Sequence, residues 1–260
     1  MMEMKNKINV LLSLIKINFA NLLIYRTNFI ISFIDEATWF AISVFFYKYI
    51  YISAYGIHGV SLRYLLILVS FSEIIKSILF SLCISNLPYF PRMVRNGSLD
   101  NILMKPIDSQ FFVSFRKFDF GNILNVMPPI IIITYYNLID IKYLPIIILL
   151  VFVSILTCYS LWFIVTTSAI WFINIDDIHE LFFGILSLNQ FPSIVFKKTS
   201  NAVFLILLPI LCSTNIPAEY VIRQNHIFYK IIFFIVIAIV LFIISRFFWK
   251  FSIRHYVSVN

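Results

Sequence analysis

The sequence predicts an all-α integral membrane protein, in which an N-terminal amphipathic interface helix is followed by six transmembrane helices. Hydrophobic residues make up 61% of the 260 residues, charged residues make up 12%, and the mean hydropathy is +0.95. Soluble domains are nearer half apolar and a quarter charged. Several apolar runs reach about twenty residues, the length that an α-helix needs to cross a bilayer. We therefore predict one membrane-embedded domain over residues 1–260.

Residues 5–25 predict the interface helix. Apolar side chains between Ile8 and Leu23 recur at helical spacing along one face. The opposite face carries polar side chains: Asn6, Asn9, Ser13 and Lys16. This pattern is typical of a helix that lies in the membrane interface. A first span over the same residues is the competing interpretation, and it would place Lys16 near the membrane centre at a cost of roughly a few kcal/mol.

Six later segments are apolar enough to be predicted as spans. The second and third of them are separated by the longest polar interval of the chain, and Pro128 and Pro129 fall within the third. The predicted spans are, in order, about 29–50, 62–85, 122–138, 146–173, 202–215 and 227–248.

Residues 174–200 separate the predicted fourth and fifth spans. They begin with a polar stretch, and residues 178–191 favour a short amphipathic helix. We predict that this segment is cytoplasmic and partly embedded in the membrane. The fifth span is predicted to be short and broken by Pro209, which marks either a mobile gate or, more simply, a kink.

The distribution of basic residues predicts the orientation. With both termini inside, the inner segments hold fourteen of the twenty Lys and Arg residues, the outer segments hold five, and Lys76 lies within a span. Cytoplasmic loops of membrane proteins carry such an excess. The formal charge of +8 is therefore assigned to membrane orientation, and no nucleic-acid partner is predicted, because the basic residues are scattered among spans.

The longest polar interval, residues 86–120, is called the central region below. It holds five basic residues between two apolar runs: Arg92, Arg95, Lys105, Arg116 and Lys117. A basic interval of this length beside membrane spans is expected on the cytoplasmic side and is too long for a simple turn. We interpret it as the part of the chain that a soluble partner binds. The alternative is a solvated loop that only sets the topology.

Four charged residues lie within the first two predicted spans and away from their outer ends. Asp35 and Glu36 lie about 12–14 Å along the first span from its inner end, and Lys76 lies about 15 Å along the second. The similar depth predicts an ion pair between these spans, and Glu73 lies one turn from Lys76. Because charges in a bilayer are costly, the cluster is either a gate or substrate path, or a structural pair that orients two helices.

The sequence lacks the motifs of common catalytic and metal sites. None of the five glycines begins a GxxxxGK[ST] loop that would bind ATP phosphates, and there is no HExxH motif. The three cysteines lie in apolar stretches without metal spacing and are predicted to be free, buried thiols: Cys83, Cys158 and Cys212. We therefore predict no catalytic residue, no metal site and no cofactor bound directly.

Three short motifs follow one another in the central region: MVRNGSLD at residues 93–100, LxKP at 103–106 and FRKFDF at 115–120. Together they resemble the permease subunits of type-2 ABC exporters. They are most similar to a six-span subfamily with a basic, Gly-x-Leu-Asp and Leu-x-Lys-Pro run between its second and third spans. The similarity extends over nearly the whole chain, through residues 25–29, Trp171-Phe172, Pro217-Ala218 and the basic C-terminal tail.

The resemblance implies the ABC type-2 permease fold and a coupling role for the central region. In this family the segment docks on a separate ABC ATPase subunit, which binds the ATP. A second permease subunit, either a copy or a paralogue, completes the pathway in the plasma (inner) membrane. The resemblance assigns these residues to the coupling segment: Arg92, Arg95, Gly97, Asp100, Lys105 and Pro106.

The chemistry of three of these residues is compatible with that role. Gly97 permits a sharp turn, Asp100 is expected to cap a following helix, and Pro106 is expected to fix where that helix stops.

Two other classes of protein stay open on the sequence alone. An ion-coupled carrier or channel would use Asp35, Glu36, Glu73 and Lys76, and its transport would be driven by a gradient without an ATPase. An intramembrane lipid-modifying enzyme would need a convergent cluster of catalytic polar groups, which the sequence does not reveal.

Overall fold

A computed structural model describes residues 26–53, 60–171, 178–198, 201–223 and 227–256, and the structural statements below concern these residues. The regular secondary structure within them is helical, which confirms the predicted all-α class. The predicted interface helix at residues 5–25 lies outside the described residues. The helices, labelled in chain order, are α1 (Arg26–Ser53), α2 (Leu62–Cys83), α3 (Phe90–Arg95), α4 (Asp100–Leu103), α5 (Ser109–Phe115), α6 (Phe120–Leu124), α7 (Met127–Tyr135), α8 (Leu144–Thr167), α9 (Ile178–Leu186), α10 (Asn201–Arg223) and α11 (Phe228–His255).

Four described segments are long and apolar enough to cross a membrane. They confirm that the first, second, fourth and sixth predicted spans are helices of spanning length. Their bounds are Phe29–Ile52, Leu62–Cys83, Ile141–Ile170 and Phe228–His255. A bent helix pair would bring the number to five if it is one span, so the count of six stays a prediction.

Helix α2 lies at the centre of the packed helices. Ser61 caps its N-terminus, because the Ser61 side chain accepts a hydrogen bond from the backbone N–H of Tyr64. The apolar part of α2 is 67% buried, compared with 11% for α1 and 22% for α11. The exposed apolar faces of α1 and α11 are therefore the surfaces that lipid or another membrane subunit would cover.

The third predicted span differs from the continuous helix over 122–138 that we expected. It is divided into α6 and α7. The axis of residues 120–135 makes an angle of 67° with the axis of α5. Asp119 caps α6 through its side chain, and Pro128 and Pro129 stand at the start of α7, where a missing N–H costs little. Residues 120–135 would span only about 24 Å as an ideal helix, less than the hydrocarbon layer of a typical bilayer.

The fifth predicted span is also different. Helix α10 continues past Pro209 and past the expected end at residue 215, as far as Arg223. Pro217 has no N–H, which leaves the Ser213 carbonyl without its helical donor. The Ser154 hydroxyl of α8 donates a hydrogen bond to that carbonyl at 2.5 Å. A side chain from a neighbouring helix therefore satisfies the backbone group that proline leaves unpaired.

Candidate functional site

The central region starts and ends beside α2, and hydrogen bonds hold its two ends together. The buried Asn86 side chain donates to the Lys117 carbonyl at 2.7 Å and accepts from the Lys117 N–H at 3.1 Å. The Asp119 N–H donates to the Ser81 carbonyl at 2.8 Å. The chain therefore leaves the C-terminal end of α2 and returns to it. Anything that moves the central region acts on the same end of this helix.

The turn at Gly97 reverses the chain after α3. Gly97 has a φ of +67°, in the left-handed region that favours glycine. Its N–H donates to the Val94 carbonyl at 3.3 Å, and the Leu99 N–H donates to the Met93 carbonyl at 3.2 Å. Leu99 is fully buried by this turn. The predicted sharp turn at Gly97 is confirmed.

Asp100 does not have the capping role that we expected. The cap position of α4 is held by Leu99, which makes no side-chain hydrogen bond there, and Asp100 is the first helical residue. The turn at Gly97 runs directly into the helix, so the acidic side chain comes one position too late to cap it. Asp100 instead interacts with Tyr256 beyond the end of α11, where burial and this carboxylate raise the pKa of the tyrosine.

Asp108, which the sequence analysis did not single out, connects the central region to α11. Its side chain accepts from the Phe111 N–H at 2.8 Å and so caps α5. The same carboxylate binds the Arg246 guanidinium with two hydrogen bonds, of 2.8 and 2.5 Å. Three residues further along α11, the Trp249 ring N–H donates to the Ser109 hydroxyl at 3.0 Å. The start of α5 is therefore fixed to the C-terminal part of α11.

The residues assigned to coupling lie in the part of this region that runs from α3 to just beyond α4. Arg92, Arg95, Lys105 and Pro106 are exposed, whereas Gly97 and Asp100 are half-buried. Met104 stands among them with 76% of its surface exposed. Helix α4 stops at Leu103, ahead of Pro106, as predicted. These exposed basic and apolar side chains stand beside a well-packed interior and are suited to binding another protein.

A second polar site lies between α1, α2 and α9. The Lys76 ammonium lies 2.7 Å from Oε2 of Glu36 on α1 and 3.4 Å from Oε2 of Glu73 on its own helix. The predicted ion pair between the first two spans is therefore confirmed for Glu36. Asp35 is exposed and forms no ion pair with another described residue.

This cluster borders a cavity of about 330 Å³. The volume is at the lower end of the range for small-molecule sites. Both polar and aromatic side chains line the cavity. Lining residues include Trp39, Ser72, Glu73, Lys76, Phe183 and Asn189.

Residues 182–193 form the third wall of the cavity and run along α2 in the opposite direction. Phe182 stacks on Trp162 of α8, which holds the start of this segment. Its later contacts move toward the N-terminus of α2: Phe183 packs against Phe80, Asn189 accepts from Ser72, and Ser193 and Tyr64 both donate to Asn215. These contacts cover about 24 Å of α2. They agree with the prediction that the segment is partly embedded, while its cytoplasmic side stays a prediction.

Asn189 is the functional candidate that the sequence analysis missed. It is 1% exposed, its side-chain oxygen accepts from Ser72, and its backbone carbonyl accepts from the Thr214 hydroxyl. Its side-chain Nδ2 has no hydrogen-bond partner among the described residues. An asparagine after an apolar helix is a common sequence feature, so only the spatial position of Asn189 distinguishes it.

Neither site is suited to a metal ion. Among the described residues there is no group of three or more His, Cys, Asp or Glu side chains that could hold one. Cys83 and Cys158 are free and buried, as predicted, whereas Cys212 is only partly buried.

Comparison with known families identifies one match. A family model described as "ABC-2 family transporter protein" matches residues 37–260. Searches of curated proteins and of solved structures find no match. The matched range includes both the central region and the cavity.

Proposed function

The chain belongs to the ABC-2 family of transporter proteins, and we propose on that basis that it forms one half of the translocation pathway of an ATP-driven exporter. It is a multi-pass membrane protein and a permease-type component of an ABC transporter, not a catalytic one. A second permease subunit, either a copy or a paralogue, completes the pathway. A separate ABC ATPase subunit binds and hydrolyses the ATP.

The observation that carries this proposal is the construction of the central region. Its exposed side chains include the basic Arg92, Arg95 and Lys105 and the apolar Met104, while Leu99 and Val113 are fully buried. A soluble ATPase has to dock on a rigid element of the permease, because a flexible loop would move without transmitting the displacement to the spans. The closure through Asn86 and Lys117 supplies that rigidity.

Two structural connections lead from the central region to the spans. One runs through Asn86 and Asp119 to the C-terminal end of α2. Helix α2 in turn lines the cavity with residues between Ser72 and Phe80. The other runs through Asp108 and Arg246 to α11. An ATPase that binds the two permease states with different affinity would shift their populations through these connections.

The same proposal fixes the orientation and location. The central region and both termini are cytoplasmic, since the basic residues are concentrated in these segments. The protein resides in the plasma (inner) membrane. ATP acts on the partner subunit, and no nucleic acid takes part.

The proposal is tested by isolating the tagged full chain from its native membrane in mild detergent and identifying the proteins that come with it. We expect an ABC ATPase and, where the pair is mixed, a second permease. The double variant Arg92→Glu, Lys105→Glu should lose the ATPase and keep the permease partner, because it reverses two exposed charges of the docking surface. Lys142→Glu is the matched control, since Lys142 is exposed but lies before α8, on the predicted outer side.

Isolation of a folded chain without any ATPase would contradict the proposal. Transport driven by an ion gradient in that preparation would instead favour the carrier class and would move attention to Glu36, Glu73 and Lys76. Retention of the ATPase by the double variant would contradict only the docking surface.

A further inference from the structure

The charged cluster of Glu36, Glu73 and Lys76, of which Glu73 and Lys76 line the cavity, carries more negative than positive charge. Two carboxylates, of Glu36 and Glu73, face the single ammonium of Lys76. The shorter contact, 2.7 Å, goes to Glu36, so Glu73 is the less completely paired carboxylate. The Lys76 ammonium therefore does not pair with every carboxylate oxygen of Glu36 and Glu73.

Two buried polar atoms at the cavity lack hydrogen-bond partners in the described structure. One is Oε1 of Glu73, an acceptor, and the other is Nδ2 of Asn189, a donor. The Ser77 hydroxyl interacts electrostatically with the Glu73 carboxylate, but the two groups do not have hydrogen-bond geometry. Buried polar groups in native proteins are normally paired, and unpaired ones call for an explanation such as a bound partner.

The other lining side chains include apolar and aromatic ones from all three helices. Trp39 comes from α1, Phe80 from α2, and Phe183 and Leu186 from α9. Aromatic rings attract cations through their π faces and also accept an apolar body. The cavity therefore combines three features. Glu73 Oε1 can accept a hydrogen bond from a cationic group, Asn189 Nδ2 can donate one, and the aromatic side chains can contact an apolar body.

From these features we propose that the cavity binds amphipathic primary amines in their protonated form. The ammonium donates to Glu73 Oε1, an oxygen of the ligand accepts from Asn189 Nδ2, and the apolar body lies against the aromatic side chains. A cation without an N–H group fits less well, because it leaves the Glu73 oxygen unpaired. The inference rests on the proposed function only in treating this ligand as a transported one.

Binding is measured on the full chain in phosphatidylcholine nanodiscs, with dansylcadaverine as the probe and empty nanodiscs subtracted. Dansylcadaverine joins a primary amine to an aromatic group. Its N-acetyl derivative removes the charge, and its N,N,N-trimethyl derivative keeps the charge but has no N–H to donate from the amine. We expect the primary amine to bind about tenfold more tightly than either derivative, the effect of one charge-assisted hydrogen bond.

Glu73→Gln should remove this preference and bring the three affinities together. The matched control is Asp35→Asn, which removes an exposed carboxylate from the same neighbourhood and should leave the preference unchanged. Ser187→Trp narrows the cavity from its exposed rim without altering a charge, and it should weaken all three probes. This variant keeps the test valid if Glu73→Gln reduces the yield of folded protein.

Equal affinity for the three probes would overturn the inference. The same holds if Glu73→Gln keeps the preference, or if Ser187→Trp binds the probes as the unmodified chain does. None of these results bears on the ATPase partner, since binding in nanodiscs needs no ATPase and capture of the ATPase needs no amine. Failure of this inference and failure of the proposed function are therefore distinguishable.

Discussion

The central region and the cavity are two polar sites among the described residues of an apolar chain, and they differ in how the side chains that build them are paired. In the central region the side chains of Asn86, Asp108 and Asp119 all make hydrogen bonds. In the cavity an atom of Glu73 and one of Asn189 stay unpaired. The paired side chains of Asn86, Asp108 and Asp119 make the central region rigid, although the buried Nε of Arg116 has no hydrogen-bond partner among the described residues. The unpaired groups at the cavity are available to a ligand. In the proposed exporter, the central region would therefore transmit the action of the ATPase and the cavity would bind the ligand.

The largest effect is expected when the hydrogen bonds that join the two ends of the central region are removed. Asn86→Ala removes three hydrogen bonds and leaves the N–H and carbonyl of Lys117 unpaired. We expect the free energy of unfolding to fall by about 3 kcal/mol, because three hydrogen bonds of roughly 1 kcal/mol each are lost. Thermal unfolding of the purified protein in detergent measures this loss. Asn101→Ala, at an exposed position in α4, is the control and should be neutral.

A loss below 1 kcal/mol for Asn86→Ala would mean that the closure is not what holds the central region. In that case the rigidity would have to come from Asp108 and Arg246.

The second test concerns the shared ammonium at the cavity. Lys76→Met leaves Glu36 and Glu73 facing each other without a cation, and we expect a loss of about 2 kcal/mol. This is below the range for fully buried pairs, because the Lys76 and Glu36 side chains are 30% and 24% exposed. The double variant with Glu36→Gln should recover part of the loss. Equal thermal stability of the single and double variants would count against a pair between the helices.

The third test sharpens the comparison at the turn of the central region. Gly97→Ala places a side chain at a φ of +67°, where no atom lies within 4 Å of the new Cβ, so the strain is purely conformational. The expected loss is about 1 kcal/mol, and Gly97→Asn should lose less because asparagine tolerates this conformation. Gly184→Ala in α9 has the same open surroundings without the positive φ. It should stabilise by up to about 1 kcal/mol.

Equal effects of alanine at positions 97 and 184 would show that the left-handed turn carries no strain. Chemical denaturation of the three variants in detergent distinguishes these outcomes.

Local sequence patterns predicted the long helices and the pairing of Lys76. Apolar length marks a span wherever it occurs, and similar depth places Glu36 opposite Lys76. The turn at Gly97 was also predictable, because glycine tolerates a positive φ that other residues avoid.

Interactions between distant parts of the chain were not predictable in this way. Asp108 and Arg246 are far apart in the sequence, and neither residue alone indicates the other. The same holds for Ser154, whose hydroxyl completes α10 at Pro217 and makes that helix longer than its two prolines suggest. Asp100 was assigned to the wrong role because its capping position depends on where the preceding turn ends.

The most direct test of the account is a photo-crosslink from the proposed docking surface. Benzoylphenylalanine replaces Met104, which is 76% exposed, and in a control chain it replaces Ile141, which is 86% exposed on the predicted outer side. After illumination of native membranes, we expect an adduct with an ABC ATPase from position 104 and none from position 141. Adding Arg92→Glu and Lys105→Glu should remove the adduct. No ATPase adduct at position 104, or equal adducts at both positions, would contradict the assignment of the central region as the coupling site.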